Sequence, residues 1–143
     1  MDESPMFRSL WRHGLRPQGE SLDEVRRILR EQTGPEADPW DVDVDVLKLG
    51  SVQLFNAGDP ADAELIWDAK TAGGMDSFCS IDVQLLCGAG LAETKEFLAG
   101  RPDADDPDGV LEWLVGCEAA GDFADFSPAA WSAVYDRYYG EGA

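Results

Sequence analysis

The side chains best suited to nucleophilic or metal chemistry are scarce in this sequence. His13 is the single histidine, and the three cysteines are Cys79, Cys87 and Cys117. One histidine argues against zinc sites built from several imidazoles and against Ser–His or Cys–His catalysis. The cysteines stand in apolar runs without C-x-x-C spacing, which is typical of reduced core residues in a cytosolic protein. We therefore expect a protein that is not an enzyme.

A glycine-rich turn gives the closest match to a cofactor-binding motif. Gly88 and Gly90 follow an apolar run and precede a predicted helix, like the start of a dinucleotide-binding turn. Glu93 replaces the third glycine of that motif, and its charge would repel a pyrophosphate. A tight turn between helices explains the glycines at least as well, so no cofactor is predicted.

Runs of aspartate invite a calcium interpretation. Asp41, Asp43 and Asp45 match the first three ligand positions of an EF-hand loop, but valines replace the glycine and glutamate that must follow. The acidic run at 103–109 also lacks the spaced glutamate. Acids at a helix start and in a solvated loop account for both runs, so no metal site is predicted.

Trp67-Asp68-Ala69-Lys70 is the most distinctive local sequence. Asp68 and Lys70 are two positions apart and therefore do not share a helix face. We expect Trp67 in the core and Lys70, one of only three lysines, paired with a nearby acid.

The charge is large and unevenly placed. The chain has 29 acidic and 11 basic side chains and a net charge of −18. Residues 1–32 contain six arginines and six acids, so the remainder carries the whole excess. Such a body repels nucleic-acid backbones and attracts basic partners, unless the acidity only keeps the protein soluble. The asymmetry indicates that the N-terminal segment and the body meet different surroundings, or each other.

The sequence marks the boundaries of its predicted helices clearly. Capping residues precede prolines at Asp38-Pro39, Asp59-Pro60, Asp106-Pro107 and Ser127-Pro128, and glycines end the apolar stretches. The predicted helices of the body are 39–57, 60–72, 77–88, 91–99, 107–120 and 128–139. Of these, 77–88 is apolar nearly all round and is expected at the centre.

Two further helices are predicted before residue 35. In 5–15, an apolar face is formed by Phe7, Leu10, Trp11 and Leu15. Ser21 and Glu24 form a capping box before the second helix. Residues 41–46 alternate strictly between Asp and Val, which is a strand pattern, whereas the preceding cap and the apolar spacing favour a helix.

A weak internal repeat defines the predicted architecture. Gly58, Gly90 and Gly121 end similar segments and are 32 and 31 residues apart. The sequence predicts an all-α fold of three consecutive helical hairpins over 36–143, preceded by an arginine-rich amphipathic arm at 1–35. The period of about 31–34 residues is close to that of ankyrin and tetratricopeptide repeats, but the motifs of both families are missing.

Stacked hairpins present elongated surfaces that usually bind proteins. Because the body is acidic, the preferred hypothesis is an inhibitor or immunity-type protein that binds a basic protein partner. Direct binding to nucleic acid or to membrane is not expected. The proposed partner-binding residues are Asp41, Asp45, Asp62, Asp103, Asp105, Asp106, Asp108, Phe7 and Trp11.

Two alternatives stay open at this point. A nucleic-acid mimic would occupy a DNA-binding protein and needs rows of exposed acids on one face. A small carboxylate- or metal-dependent enzyme needs acids that converge in a cleft. The absence of any apolar run of about 18 residues, and of a signal-length run near the N-terminus, predicts a cytoplasmic protein.

Overall fold

The computed structural model describes residues 4–34, 37–38, 40–100 and 109–140, and all regular secondary structure within these ranges is helical. None of the helices in these ranges has the length and apolar character needed to cross a bilayer. The elements are α1 (Pro5–His13), α2 (Glu20–Thr33), α3 (Val44–Ala57), α4 (Ala63–Ala72), α5 (Met75–Ser80), α6 (Leu91–Ala99), α7 (Val110–Ala119) and α8 (Pro128–Tyr139), with short 3₁₀ helices at Pro60–Asp62 and Val83–Cys87.

Helix α3 is the centre of the fold. Val46, Leu47 and every residue from 49 to 55 are buried, and α1, α2, α4, α5 and α8 all pack against this helix. A helix contacted from so many sides must be apolar nearly all round. The prediction that 77–88 forms the central helix is therefore wrong, although its second half does contribute to the core.

The segment predicted as one helix over 77–88 is broken in two. Helix α5 ends at Ser80, Ile81 and Asp82 are extended, and a 3₁₀ helix follows. The Nζ of Lys70 donates to the backbone oxygens of Phe78 at 2.6 Å and Ile81 at 2.5 Å. Lys70 thus binds carbonyl groups that the end of α5 leaves open, rather than the acid expected from the sequence.

The structure decides whether the alternating segment 41–46 is strand or helix, because α3 begins at Val44. Asp43 is the N-cap, and its side chain accepts a hydrogen bond from the backbone N–H of Val46. Residues 40 and 41 lie in a turn, and Asp43 has an extended backbone without belonging to a strand. The predicted start near Pro39 comes too early, because Asp43 provides the cap.

The predicted capping box of the second helix does not form. Gly19 is the N-cap of α2, and Ser21 lies inside the first turn. The hydroxyl of Ser21 lies 3.0 Å from Nδ1 of His13. The Ser21 side chain therefore joins α1 to α2 instead of capping a helix.

The N-terminal arm is fastened to α3 by hydrogen bonds across the turn after α1. The side-chain amides of Gln53 and Asn56 donate to the backbone oxygens of Gly14 at 2.7 Å and Leu15 at 2.9 Å. Leu15 itself is buried in the core. Gly14 has a φ of 68°, a conformation that favours glycine and permits this reversal of the chain.

The glycine-rich turn serves a close approach between backbones. A Cβ added to Gly88 would lie 2.2 Å from the backbone oxygen of Phe55, so only glycine fits against the end of α3. Gly90 has a φ of 104° and precedes α6. The interpretation as a tight turn between helices accounts for both glycines.

The three cysteines are free thiols in different environments. Cys87 is buried, Cys117 is half-buried and Cys79 is exposed, so the prediction of a core position is wrong for Cys79. Burial raises the pKa of the Cys87 thiol to about 12.

Candidate partner-binding site

A depression of about 400 Å³ opens along α7. Trp113, Gly116, Cys117 and Ala120 follow the i, i+3, i+4, i+7 spacing of one helix face and contribute to its lining. A Cβ added at Gly116 would meet no atom within 4 Å, so this face is open to solvent. A helix face of this kind ordinarily packs against another element, and here it is left uncovered within the described chain.

Carboxylates flank the depression. Glu112 and Asp122 both contribute to its lining, and both are exposed. Trp113 is 43% exposed, and the neighbouring Val115 is 49% exposed. Exposed apolar groups beside acids suit a binding partner that offers both apolar and basic side chains.

The indole of Trp113 packs against two other aromatic rings, those of Phe78 and Trp67. Its ring centroid lies 5.6 Å from Phe78 in an edge-on arrangement and 6.1 Å from Trp67. Trp67 and Phe78 also contact each other at 6.5 Å. The three rings join α4, α5 and α7, so the exposed edge of Trp113 is presented by a supported cluster.

Lys70 supports this cluster through Phe78. Its Nζ lies 4.2 Å from the centroid of the Phe78 ring, a cation–π distance, while donating to the carbonyls described above. Burial lowers the pKa of the Lys70 amine. Because those donors are already engaged, the position of Lys70 indicates a structural role in shaping α5.

Cys117 gives the depression little nucleophilic potential. Burial first, and then a hydrogen bond from the thiol to Asp122, raises the pKa of Cys117. A thiol with a raised pKa remains protonated near neutral pH, and the thiolate is the reactive form. The Cys117 thiol is therefore poorly suited to act as a nucleophile in the depression.

The acids that the sequence predicts for partner binding differ in their exposure to solvent. Asp41 and Asp45 are exposed, Asp41 in the turn before α3 and Asp45 in its first turn. Asp103, Asp105, Asp106 and Asp108 lie outside the described residues.

Asp62 does not belong to an exposed acidic face, and that expectation is wrong. Its side chain is only 8% exposed, and both of its oxygens accept hydrogen bonds of 2.9 Å from Arg26. Asp59 and Asp23 lie 3.6 and 3.5 Å from the same guanidinium. The carboxylate of Asp62 is buried because the arm supplies the arginine that neutralises it.

The four apolar residues that the sequence predicts on one face of the first helix have different environments in the structure. Leu10 packs against the core and Leu15 is buried beyond the end of the helix. Phe7 is 47% exposed and Trp11 is 91% exposed. The aliphatic residues anchor the arm, and the two aromatic residues, one turn apart, are left on its surface.

A groove of about 310 Å³ runs between α1 and α2, and Arg8, Arg12, His13 and Glu24 contribute to its lining. His13 and Ser21 resemble two members of a catalytic triad, but both oxygens of Glu24 accept hydrogen bonds from Arg27 instead. Partial burial, and then the charge of Arg12, lowers the pKa of His13. The contacts indicate a structural link between two helices.

Among the described residues, no group of three or more His, Cys, Asp or Glu side chains is arranged to hold a metal ion. Sequence reasoning did not single out Trp113, Glu112 or Asp122. The helical spacing of Trp113 and its small neighbours was visible in the sequence. That spacing does not tell a face packed in the core from a face left open.

No protein-family model, no curated protein and no solved structure matches the chain.

Proposed function

We propose that the protein is an acidic binding module of the inhibitor or immunity type, which binds a basic protein partner. The observation that carries this proposal is the depression on α7, whose lining combines a half-exposed Trp113 with the carboxylates of Glu112 and Asp122. Aromatic side chains in partly apolar pockets are the residues that dominate binding energy in protein interfaces. The acidic rim selects for a basic partner.

The charge around α7 supports the same conclusion. The exposed carboxylates on and between α6, α7 and α8 are Glu93, Glu96, Glu112, Glu118, Asp122 and Asp125. In the same described segment the cations are Lys95, which pairs with Glu118 at 2.6 Å, and Arg137. This excess of exposed acid would steer a basic protein towards the depression and raise its association rate.

Asp41 and Asp45 remain proposed partner-binding residues, because both are exposed. Asp62 is no longer included, since its charge is neutralised within the chain. The repeat of three helical hairpins and a cytoplasmic location remain part of this proposal.

Binding of basic peptides tests the proposal. The probes are an amphipathic Leu/Lys helical peptide and nona-arginine, titrated into ¹⁵N-labelled protein in about 0.01 M salt, where the Debye length is about 30 Å. We expect the Leu/Lys peptide to bind and to shift the indole N–H signal of Trp113. Trp113→Ala should weaken that binding by about tenfold or more, as at an interface hot spot.

Trp40→Ala is the matched control, because Trp40 is 93% exposed and is not part of the depression. It should leave the affinity within about twofold of the unmodified protein, as non-hot-spot contacts do. Equal binding of nona-arginine and the amphipathic peptide, without a shift at Trp113, would favour the nucleic-acid mimic, for which charge alone matters. No binding of either peptide would contradict both hypotheses.

A further inference from the structure

Helix α1 presents two adjacent stripes of complementary character. Phe7 and Trp11 form an exposed aromatic stripe, and Arg8 and Arg12 follow one position later with the same spacing of four. Residues four apart lie above one another on a helix, so the stripes run side by side. The surface of α1 is that of a basic, aromatic helix.

The two arginines of this stripe differ from three others of the arm. Arg16, Arg26 and Arg27 each form a salt bridge with a carboxylate. For Arg8 and Arg12, no carboxylate lies within salt-bridge distance in the part of the chain that the structure describes. Their charges are available to a partner.

We propose that α1 of one copy of this protein binds the α7 depression of a second copy. The inference rests on the proposed function, because it names a basic, aromatic partner for the same acidic surface. Phe7 and Trp11 would contact Trp113 and the small residues beside it. Arg8 and Arg12 would meet the acidic rim formed by Glu112 and Asp122.

The chemistry of the two surfaces matches in kind. Arginine pairs well with carboxylates and also lies favourably over an indole ring, so Arg8 or Arg12 can contact either the rim or Trp113. Gly116 and Ala120 leave room for a large side chain such as Trp11. Trp11 is 91% exposed on the isolated chain, and this contact would cover it.

The geometry of this contact determines the kind of assembly. It joins two different surfaces, so in a pair one copy retains a free depression and the other a free α1, and association proceeds head to tail. Each added copy brings a net charge of −18, which opposes growth. At about 0.15 M salt the Debye length is about 8 Å, which screens this long-range repulsion more than the contact pairs. Association should therefore be stronger at that salt than at about 0.01 M.

Variants with reversed charge on one of the two surfaces test the inference. Their association is measured by sedimentation equilibrium at about 0.15 M salt. Arg8→Glu/Arg12→Glu should be monomeric, because both surfaces are then acidic. Glu112→Lys/Asp122→Lys should also be monomeric, because both are then basic. An equal mixture of the two variants should associate again, since each surface now meets its opposite.

Control variants apply the same charge changes elsewhere. Arg30→Glu/Arg137→Glu and Glu20→Lys/Asp76→Lys alter exposed residues outside α1, the depression and the acids around α7, and both should associate like the unmodified protein. Gly116→Phe should block association without changing the charge, because the new side chain fills open space. Circular dichroism verifies folding, and the Gly116 variant keeps the test valid if the double lysine variant does not fold.

A monomeric unmodified protein at concentrations up to about 1 mM, the weak end of specific binding, would overturn the inference. Association that persists in Arg8→Glu/Arg12→Glu, or a mixture that remains monomeric, would overturn it as well. The proposed function is distinguished by the peptide titration. If the Leu/Lys peptide still shifts Trp113 while self-association is absent, only the self-association inference fails.

Discussion

In the N-terminal arm, arginines are joined to carboxylates that lie far away in the sequence, whereas around α7 the exposed carboxylates greatly outnumber the cations. Arg16 bonds to Asp136 and Arg26 to Asp62, so the arm neutralises acids of the body. Glu112 and Asp122 contribute to the lining of an open depression on α7. Salt bridges join distant parts of the chain in the first region, whereas exposed acid is in excess in the second, although both belong to one chain with a net charge of −18.

The largest loss of stability is expected when Arg26 is replaced. Arg26→Met leaves the carboxylate of Asp62, whose side chain is 8% exposed, without its partner. We expect the free energy of unfolding to fall by about 3 kcal/mol, because breaking a buried pair leaves an uncompensated charge. Urea denaturation measures the loss.

Arg27→Met is the matched control, since the described acids that pair with Arg27 belong to its own helix and have side chains 35% and 64% exposed. Its effect should stay below about 1 kcal/mol. The double variant Arg26→Met/Asp62→Leu should recover most of the stability, because no charge is then left buried. Equal losses at Arg26 and Arg27 would contradict the assignment of Asp62 to a buried pair.

An intermediate effect is expected from the buried lysine of the body. Lys70→Met removes the donor to the carbonyls of Phe78 and Ile81, and the cation over the Phe78 ring. Unpaired buried polar groups cost about 1 to 3 kcal/mol, so unfolding should become easier by that amount. Thermal denaturation followed by circular dichroism provides the measurement.

Lys48→Met serves as a comparison, because Lys48 lies over the exposed ring of Tyr138 rather than against buried carbonyls. It should cost less than about 1 kcal/mol, as exposed cation–π contacts do. A larger loss at Lys48 than at Lys70 would show that burial does not decide the contribution of these lysines.

The smallest expected effect concerns the exposed pair of Arg16 and Asp136. Two hydrogen bonds of 2.9 Å join them, and the bond to Arg16 lowers the pKa of Asp136. Asp136→Asn should cost about 1 kcal/mol or less, because solvent screens the pair. Since the folded pKa is depressed, the contribution is present above the ordinary value and is lost as the pH falls through the folded pKa.

Denaturation of the protein and of Asp136→Asn across the acid range measures this difference. The two stability curves should separate near neutral pH and converge in strong acid. Asp125→Asn, at an exposed acid, is the control and should follow the unmodified protein throughout. A separation that persists in strong acid would contradict the role of the charged pair.

Local chemistry made much of the fold predictable. Ser127 and Asp59 cap their helices as the cap–proline pairs predict, because a short side-chain oxygen beside proline has few other roles. The break after Ser80 was hidden, since it depends on Lys70 reaching the carbonyls of Phe78 and Ile81 from another helix. A local sequence pattern does not show that a hydrogen-bond donor from another helix binds these carbonyls.

The candidate site was less predictable than the fold. The sequence grouped Asp62 with Asp41 and Asp45 as displayed acids, because all three stand at helix starts. Whether such an acid is displayed depends on whether an arginine from another element reaches it, as Arg26 reaches Asp62. Among the described residues no further element covers this face of α7, and the exposure of Trp113 that results is not encoded in the spacing along one helix.

Helix α7 buries only Val110 and Leu114, whereas nine residues of α3 are buried. Amide protons that are protected by few buried contacts exchange through local opening, and those in a central helix exchange only when the whole molecule unfolds. Helix α7 should therefore exchange its amide protons with solvent long before α3 does. An occupant of the depression would slow that exchange, so protection of α7 would report on binding even when the occupant is unknown.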